Sequence, residues 1–215
     1  MVTEYGTDDL VDALFALTGG INLFVEVGAY RAEFSRRAAL EHPDATIMAL
    51  EANPHTWQQY APTMPERIEY LNVAACPADG PVTFALMALQ GGAHLPRIAG
   101  NNGLRQRLAH GIEYDPLIVD GRALDSLLAE RGLTGQPCVM WWDVEGAQDL
   151  VIAGAHAALT DCVALLLEVE EYAYWRDQPL VSDVDAALAR FGLVPVARDR
   201  EFPDQHNRIY APRIA

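Results

Sequence analysis

The chain is poor in positive charge: 15 Lys and Arg stand against 30 Asp and Glu, a formal net charge of −15 over 215 residues. No basic run stands out, so a phosphate backbone would meet repulsion and nucleic acid is not an expected substrate. The first residues, Met1 to Asp9, lack the basic stretch and apolar core of a secretory leader. No stretch reaches the ~20 apolar residues that a membrane span needs. The expectation is a soluble, cytoplasmic protein. Cysteine is scarce: Cys76, Cys138 and Cys162 have no metal-ligand spacing, and no positive neighbour favours a thiolate, which argues against a catalytic thiol. The histidines show no i, i+4 pair, which argues against zinc. Internal repeats and low-complexity linkers are also missing. With 51% hydrophobic residues, residues 1–215 are expected to form a single domain.

What is present begins with Leu23-Phe24-Val25-Glu26-Val27-Gly28-Ala29-Tyr30-Arg31-Ala32-Glu33-Phe34-Ser35. An apolar run of strand length meets a glycine, and a helix pattern follows. In open α/β sheets ligands bind where such turns leave the carboxyl ends of the strands, and Gly28 would let backbone approach a ligand closely. The dinucleotide fingerprint is not there, because Tyr30 and Glu33 occupy its second and third glycine positions. A second apolar strand, Ile47 to Leu50, ends in Glu51. A carboxylate there can accept both ribose hydroxyls of an adenosyl group.

These residues resemble the S-adenosylmethionine-dependent methyltransferases, and later segments narrow the resemblance to the FkbM-like family. It covers roughly Leu23 to Pro212. Its strongest signature is Cys138-Val139-Met140-Trp141-Trp142-Asp143-Val144-Glu145-Gly146-Ala147, similar to the family's Lys-Ile-Asp-Val-Glu-Gly-Ala-Glu, with Trp141 and Gln148 as departures. In the first motif Glu26, Tyr30 and Ala32 replace the family's Asp, Asn and second Gly. Ala52 and Ala123 replace a Pro and a Thr in two later motifs.

The resemblance implies an α/β, Rossmann-like class I methyltransferase fold. Its sheet would have seven mostly parallel strands, an antiparallel last strand and helices on both faces. It implies S-adenosyl-L-methionine as cofactor, held by Glu26, Gly28, Tyr30, Ser35, Glu51, Ala52, Asn53, Asn72, Ala74 and Asp143, with adenine near Asn72 to Ala74. Periodicity predicts an N-terminal helix within residues 1–20, from Asp8 to Leu17, ended by Thr18-Gly19-Gly20. Ile68 to Ala75 reads as a third strand. Leu193 to Ala197 and Arg208 to Ala211 read as an antiparallel pair at the sheet edge. Residues 90–116 read as a lid or substrate loop, carrying His94, Arg97, Arg105, Arg107 and His110.

Methyl transfer from a sulfonium asks the protein to position a nucleophile and exclude water. A hydroxyl acceptor benefits from losing its proton to a general base or from coordination to a divalent metal. Asp143, Glu145, Glu168 and Glu170 come from the ends of two strands expected to be adjacent. Clustered carboxylates either keep a proton or share a cation, and both outcomes stay open. Asp143 is the first choice as catalytic base, then Glu168. Glu145 is a further catalytic candidate that could instead cap the next helix. Asp143 and Glu168 are the candidate ligands for a cation such as magnesium, and His110 or His206 could replace a carboxylate as base. Trp141, Tyr172, Tyr174 and Trp175 offer flat faces for a sugar or polyketide ring, whereas Trp142 is expected in the core.

The expected reaction is O-methylation of a hydroxyl on a sugar, oligosaccharide, polysaccharide or polyketide-type metabolite. A homodimer is compatible with the sequence. A methyltransferase-like binding module without turnover is the second reading, distinguished by tight cofactor binding with no transfer. A nicotinamide-dependent oxidoreductase is the third, which NAD binding would revive.

Overall fold

The computed structural model describes residues 2–18, 20–199, 202 and 204–213. In chain order the elements are β1 Thr3–Tyr5, α1 Thr7–Leu17, β2 Leu23–Val27, α2 Glu33–Glu41, β3 Thr46–Leu50, α3 Pro54–Tyr60 and β4 Ile68–Leu71. Next come β5 Ala74–Ala75, β6 Gly80–Gln90, β7 Ala93–His94, β8 Ile112–Arg122 and α4 Leu124–Glu130. The last third holds β9 Cys138–Trp142, α5 Gln148–Ala153, α6 His156–Thr160, β10 Cys162–Glu170, α7 Val181–Ala189, β11 Leu193–Asp199 and β12 Gln205–Pro212.

Among the described residues the main sheet has eight strands, in the order β1-β11-β12-β10-β9-β2-β3-β4, where seven were expected. The extra strand is β1, which pairs parallel to β11 in a stretch whose three residues are too few to show a period in sequence. β12 runs antiparallel to both β10 and β11. It therefore lies inside the sheet, and the edge expected of the last pair belongs to β1. Gly19, part of the expected helix-ending stretch, lies outside the described residues.

The two faces of this sheet bury separate cores. β2 is buried at every position, as a parallel strand covered by helices on both sides must be. Its Leu23, Val25 and Val27 face one cluster with Trp142, Leu127, Val151, Leu159 and Leu188 from the α4 to α7 side. Phe24 faces the other, with Leu10, Leu14, Ala38 and Trp141 from the α1 and α2 side. Asp125 accepts the Ala157 and Ala158 N–H groups at 2.9 and 3.0 Å, satisfying donors at the start of α6.

The expected third strand divides in two. Ile68–Leu71 stays in the main sheet, and Ala74–Ala75 enters a second, four-stranded sheet of order β5-β8-β6-β7. The break falls at Asn72, whose side-chain amide donates to the Glu51 and Ala52 carbonyls. Periodicity could not show this, because a side chain takes over the pairing there. Ile112 to Pro116, expected in the loop, belong to β8, which pairs with β6 from Ile112 to Gly121. Phe84, Leu86, Val119 and Ala74 pack a small third core beneath this sheet.

At the turn after β2, Gly28 has φ +78°, and a Cβ there would stand 1.7 Å from the Asp143 carbonyl oxygen. The glycine is needed because the ends of β2 and β9 meet backbone to backbone, so the reason differs from the expected approach of a ligand. Asp143 N–H donates to the Val27 carbonyl across the same contact at 3.0 Å. Gly28→Ala combines an unfavourable φ with a backbone clash and should cost more than ~3 kcal/mol. Gly132 also has positive φ, +66°, but nothing lies within 4 Å of the place a Cβ would take, so Gly132→Ala should cost about 1 kcal/mol. Denaturant midpoints check the pair, and equal losses would contradict this account.

Candidate functional site

A cleft of about 800 Å³, mouth included, opens at the carboxyl ends of β2, β3 and β9. Of the residues expected to hold a cofactor, Gly28, Tyr30, Glu51, Ala52, Asn53, Ala74 and Asp143 line it. Glu26, Ser35 and Asn72 do not line it, and their bonds serve the scaffold. Glu26 accepts the Ser35 N–H at 2.7 Å in the first turn of α2, and burial pushes its carboxyl up to about 7. Asn72 ties the turn after β3 to the end of β4.

Glu51 is held from two sides. One carboxyl oxygen accepts the Tyr30 N–H and the other the Asn53 N–H, each at 2.7 Å. These bonds fix the carboxyl at the cleft wall and leave lone pairs for a ligand. Burial nevertheless pushes its pKa up to about 7. Tyr30, where the family carries Asn, sits in the left-handed region at φ 48°, which favours Asn over a bulky residue. Its surroundings compensate: its carbonyl accepts from the Tyr70 hydroxyl at 2.5 Å, its ring meets that of Tyr60 edge-on, and the Arg31 guanidinium lies over both rings. Ala32, at φ 54°, caps α2 from the same region.

The acidic strand ends come together as expected, because β9 and β10 pair in parallel. Asp143 and Glu145 line the cleft, and Glu168 and Glu170 lie outside its lining. Asp143 Oδ1 is buried without a hydrogen-bond partner, and burial pushes the carboxyl up to about 6. Glu145, at φ 50°, is held well above the usual carboxylate range by burial and by Asp143 and Glu168, with Arg107 opposing. Glu168 is pushed up to about 9 by burial and the neighbouring acids, so it keeps its proton at neutral pH. Glu170 is fully buried and accepts from the Gln148 and Gln178 amides at 3.3 and 2.5 Å. Gln148, where the family carries Glu, thus supplies a donor to a buried acid. Among the described residues no group of three or more His, Cys, Asp and Glu could hold a metal ion. Of the two ligands expected for a cation, Asp143 lines the cleft and Glu168 does not.

The other candidates lie elsewhere. His110 is exposed and outside the cleft lining. His206 is buried on β12, accepts from Arg208 Nε at 2.8 Å, and is lowered by burial. Trp141 stacks on Phe34 with ring centroids 3.9 Å apart, so its ring is committed to the core. Trp142 is fully buried on the opposite face. Trp175 packs against Gly146, Tyr174 donates to Asp204, and Tyr172 is 68% exposed.

Sequence reasoning missed Thr56, Phe84, Asn102, Gly103, Val144 and Ala147 in the lining, whereas Val73 lines it within the stretch expected near adenine. The Asn-Gly pair inside residues 90–116 was the one available signal. Asn102 accepts the Met87 N–H at 2.7 Å and donates to the Ala99 carbonyl, which binds that loop to β6 as a wall of the cleft. No helix among the described residues is long and apolar enough to cross a membrane.

The profile of the methyltransferase FkbM domain family matches residues 26–195. The chain is 27% identical to a protein of Sinorhizobium fredii named 2-O-methyltransferase NoeI, over 80% of this chain and 73% of that one. Its structure is similar to the crystal structure of methyltransferase FkbM from Methylobacillus flagellatus, with a TM-score of 0.57 and 14% identity. That match covers 97% of this chain and 48% of the other, so the chain spans about half of that relative, and the likeness speaks to the fold.

A pH test follows from the buried acids. Glu26 and Glu51 hold protons more tightly in the folded state, rising from 4.5 to about 7. Between those values the folded state binds more protons than the unfolded chain, so stability present at low pH is lost as pH rises through about 7. The thermal midpoint of the ligand-free protein should fall from pH 5 to pH 8, and Glu26→Gln should flatten the slope. A midpoint that rises over this window would contradict the assignment.

Proposed function

The chain belongs to the FkbM methyltransferase family, and from that premise we propose that it transfers the methyl group of S-adenosyl-L-methionine to a hydroxyl of a sugar, oligosaccharide, polysaccharide or polyketide-type metabolite. The observation that carries the reading is one cleft holding both a backbone-fixed Glu51 carboxyl and an unpartnered, buried Asp143 oxygen. The residues present suit an adenosyl ligand: Glu51 keeps acceptor capacity for ribose hydroxyls, and Val73, Ala74 and Phe84 offer apolar surface beside it. When bound, S-adenosylmethionine supplies an already activated methyl group.

The chain's own residues then have three tasks. Val27, Leu50 and Leu104 give the cleft apolar walls, against which a bound ligand displaces water and so strengthens the charge interactions inside it. The strand ends hold the acceptor hydroxyl in line, an effect of orientation. Asp143 Oδ1 takes the proton of that hydroxyl as the new bond forms, and its value near 6 leaves most of it ionised at neutral pH. Glu168, which keeps its proton, is the weaker choice as base. The Sinorhizobium relative is named a 2-O-methyltransferase, which supports oxygen as the acceptor atom.

The test is transfer of isotopically labelled methyl from S-adenosylmethionine to a panel of glycosides and polyhydroxylated metabolites, followed by mass spectrometry. Labelled ether should form, and Asp143→Asn should lower kcat by about 10²–10⁴-fold with folding intact. Labelling of amines alone, or full turnover in Asp143→Asn, would overturn the proposal.

A further inference from the structure

The chain that follows the cleft wall is pinned down by one arginine. Ala99, Gly100, Asn102, Gly103 and Leu104 line the cleft, and Arg105 comes next. Its side chain is only 10% exposed. Nη2 donates to both Asp149 carboxyl oxygens at 2.8 Å, on α5. Nη1 donates to the Arg176 carbonyl at 2.9 Å and to that of Asp177. One guanidinium therefore joins the cleft wall, the helix after the Asp143 turn, and the segment after β10.

Residues 106–108 and 174–176 run side by side. Leu108 N–H donates to the Tyr174 carbonyl and Arg176 N–H to the Gln106 carbonyl, both at 2.8 Å. Arg107 and Trp175 form a β-bridge, with the Arg107 guanidinium over the Trp175 ring. Beneath that ring lies Gly146, where a Cβ would come within 3.1 Å of ring atoms. Gln178 closes the far end: its carbonyl oxygen accepts the Tyr174 and Trp175 N–H groups, and its amide donates to Glu170. The two segments form a strap over the Glu145-Gly146 turn, further tied by the Arg107 N–H, which donates to the Tyr114 hydroxyl at 2.7 Å.

We propose that Arg105 is the latch of this strap, a positioning residue that holds the cleft wall closed on its ligand and sets how fast the ligand leaves. The inference rests on the adenosyl reading of the cleft. A lysine cannot replace this arginine, because a single ammonium cannot present the fork that reaches a carboxylate and two carbonyls together. Closure of this kind commonly governs release rather than chemistry.

The experiment uses the full chain with Arg105→Lys and Asp149→Asn. Hydrogen exchange of the ligand-free protein reads the strap alone: the Leu108 and Arg176 amides should exchange faster in both variants, with core amides of β2 and β9 unchanged. Stopped-flow tryptophan fluorescence with S-adenosylhomocysteine reads the latch, since Trp175 is itself part of the strap. Its dissociation should speed up by roughly tenfold in Arg105→Lys, the scale of one charge-assisted hydrogen bond. KM for the methyl donor should rise by more than kcat changes. Unchanged strap exchange, or faster exchange with an unchanged dissociation rate, would overturn the proposal. A uniform rise in exchange across the core would also overturn it, showing a merely structural role. If wild-type protein bound no S-adenosylhomocysteine, the adenosyl reading would fall and with it the gating role, while the exchange arm would separately decide whether Arg105 holds the strap.

Discussion

The Asp143 carbonyl occupies the space where residue 28 would carry a Cβ, and the site depends on that contact. It sets how closely the ends of β2 and β9 approach, and both turns that face the cleft start from there. Gly28 and Ala29 each donate to the Leu50 carbonyl at 2.9 Å, which brings the end of β3 into the same junction. Glu51 follows at once and is held by the Tyr30 and Asn53 amides. Three strand ends, one glycine and a few backbone bonds therefore put a fixed acceptor oxygen and an unpartnered one in the same cleft. The left-handed conformations at Tyr30, Ala32 and Glu145 cluster around this junction, as strained residues do where the surrounding structure over-determines them.

Charge supplies the second constraint. Asp143, Glu145, Glu168 and Glu170 share a region facing few cations, and burial raises each of them. Several unpaired negative charges in a buried cluster would be too costly, so protons stay on some members. Asp143, raised only to about 6, is the member best able to lose its proton near neutral pH and regain it in a reaction. The Gln148 and Gln178 amides hold Glu170 in place without adding charge.

Much of the central sheet was legible in the residues. Short, unbroken apolar runs such as Leu23–Val27 and Cys138–Trp142 mark strands covered on both faces, and the glycine and acids at their ends mark the turns. The parts that were not legible depend on partners far away in sequence. β1 exists only because β11 offers an edge. The split at Asn72 follows from two carbonyls twenty or more residues earlier. In the site, Gly28, Glu51 and Asp143 were readable from their places at strand ends. Glu26 and Ser35 were not separable from cofactor residues, because a carboxylate that caps a buried helix looks the same in sequence as one that meets a ligand. Trp141 was misplaced for a similar reason: strand alternation gives its face, but only Phe34 stacked upon it decides that the ring is spent in the core.

The central claim is that the cleft holds an adenosyl ligand through Glu51. Calorimetric titration of the purified chain with S-adenosylhomocysteine, beside NAD as the competing ligand, measures this directly. The account predicts micromolar binding of S-adenosylhomocysteine, about −8 kcal/mol, lost in Glu51→Ala, with no heat from NAD. Binding that is unchanged in Glu51→Ala, or binding of NAD alone, would contradict it.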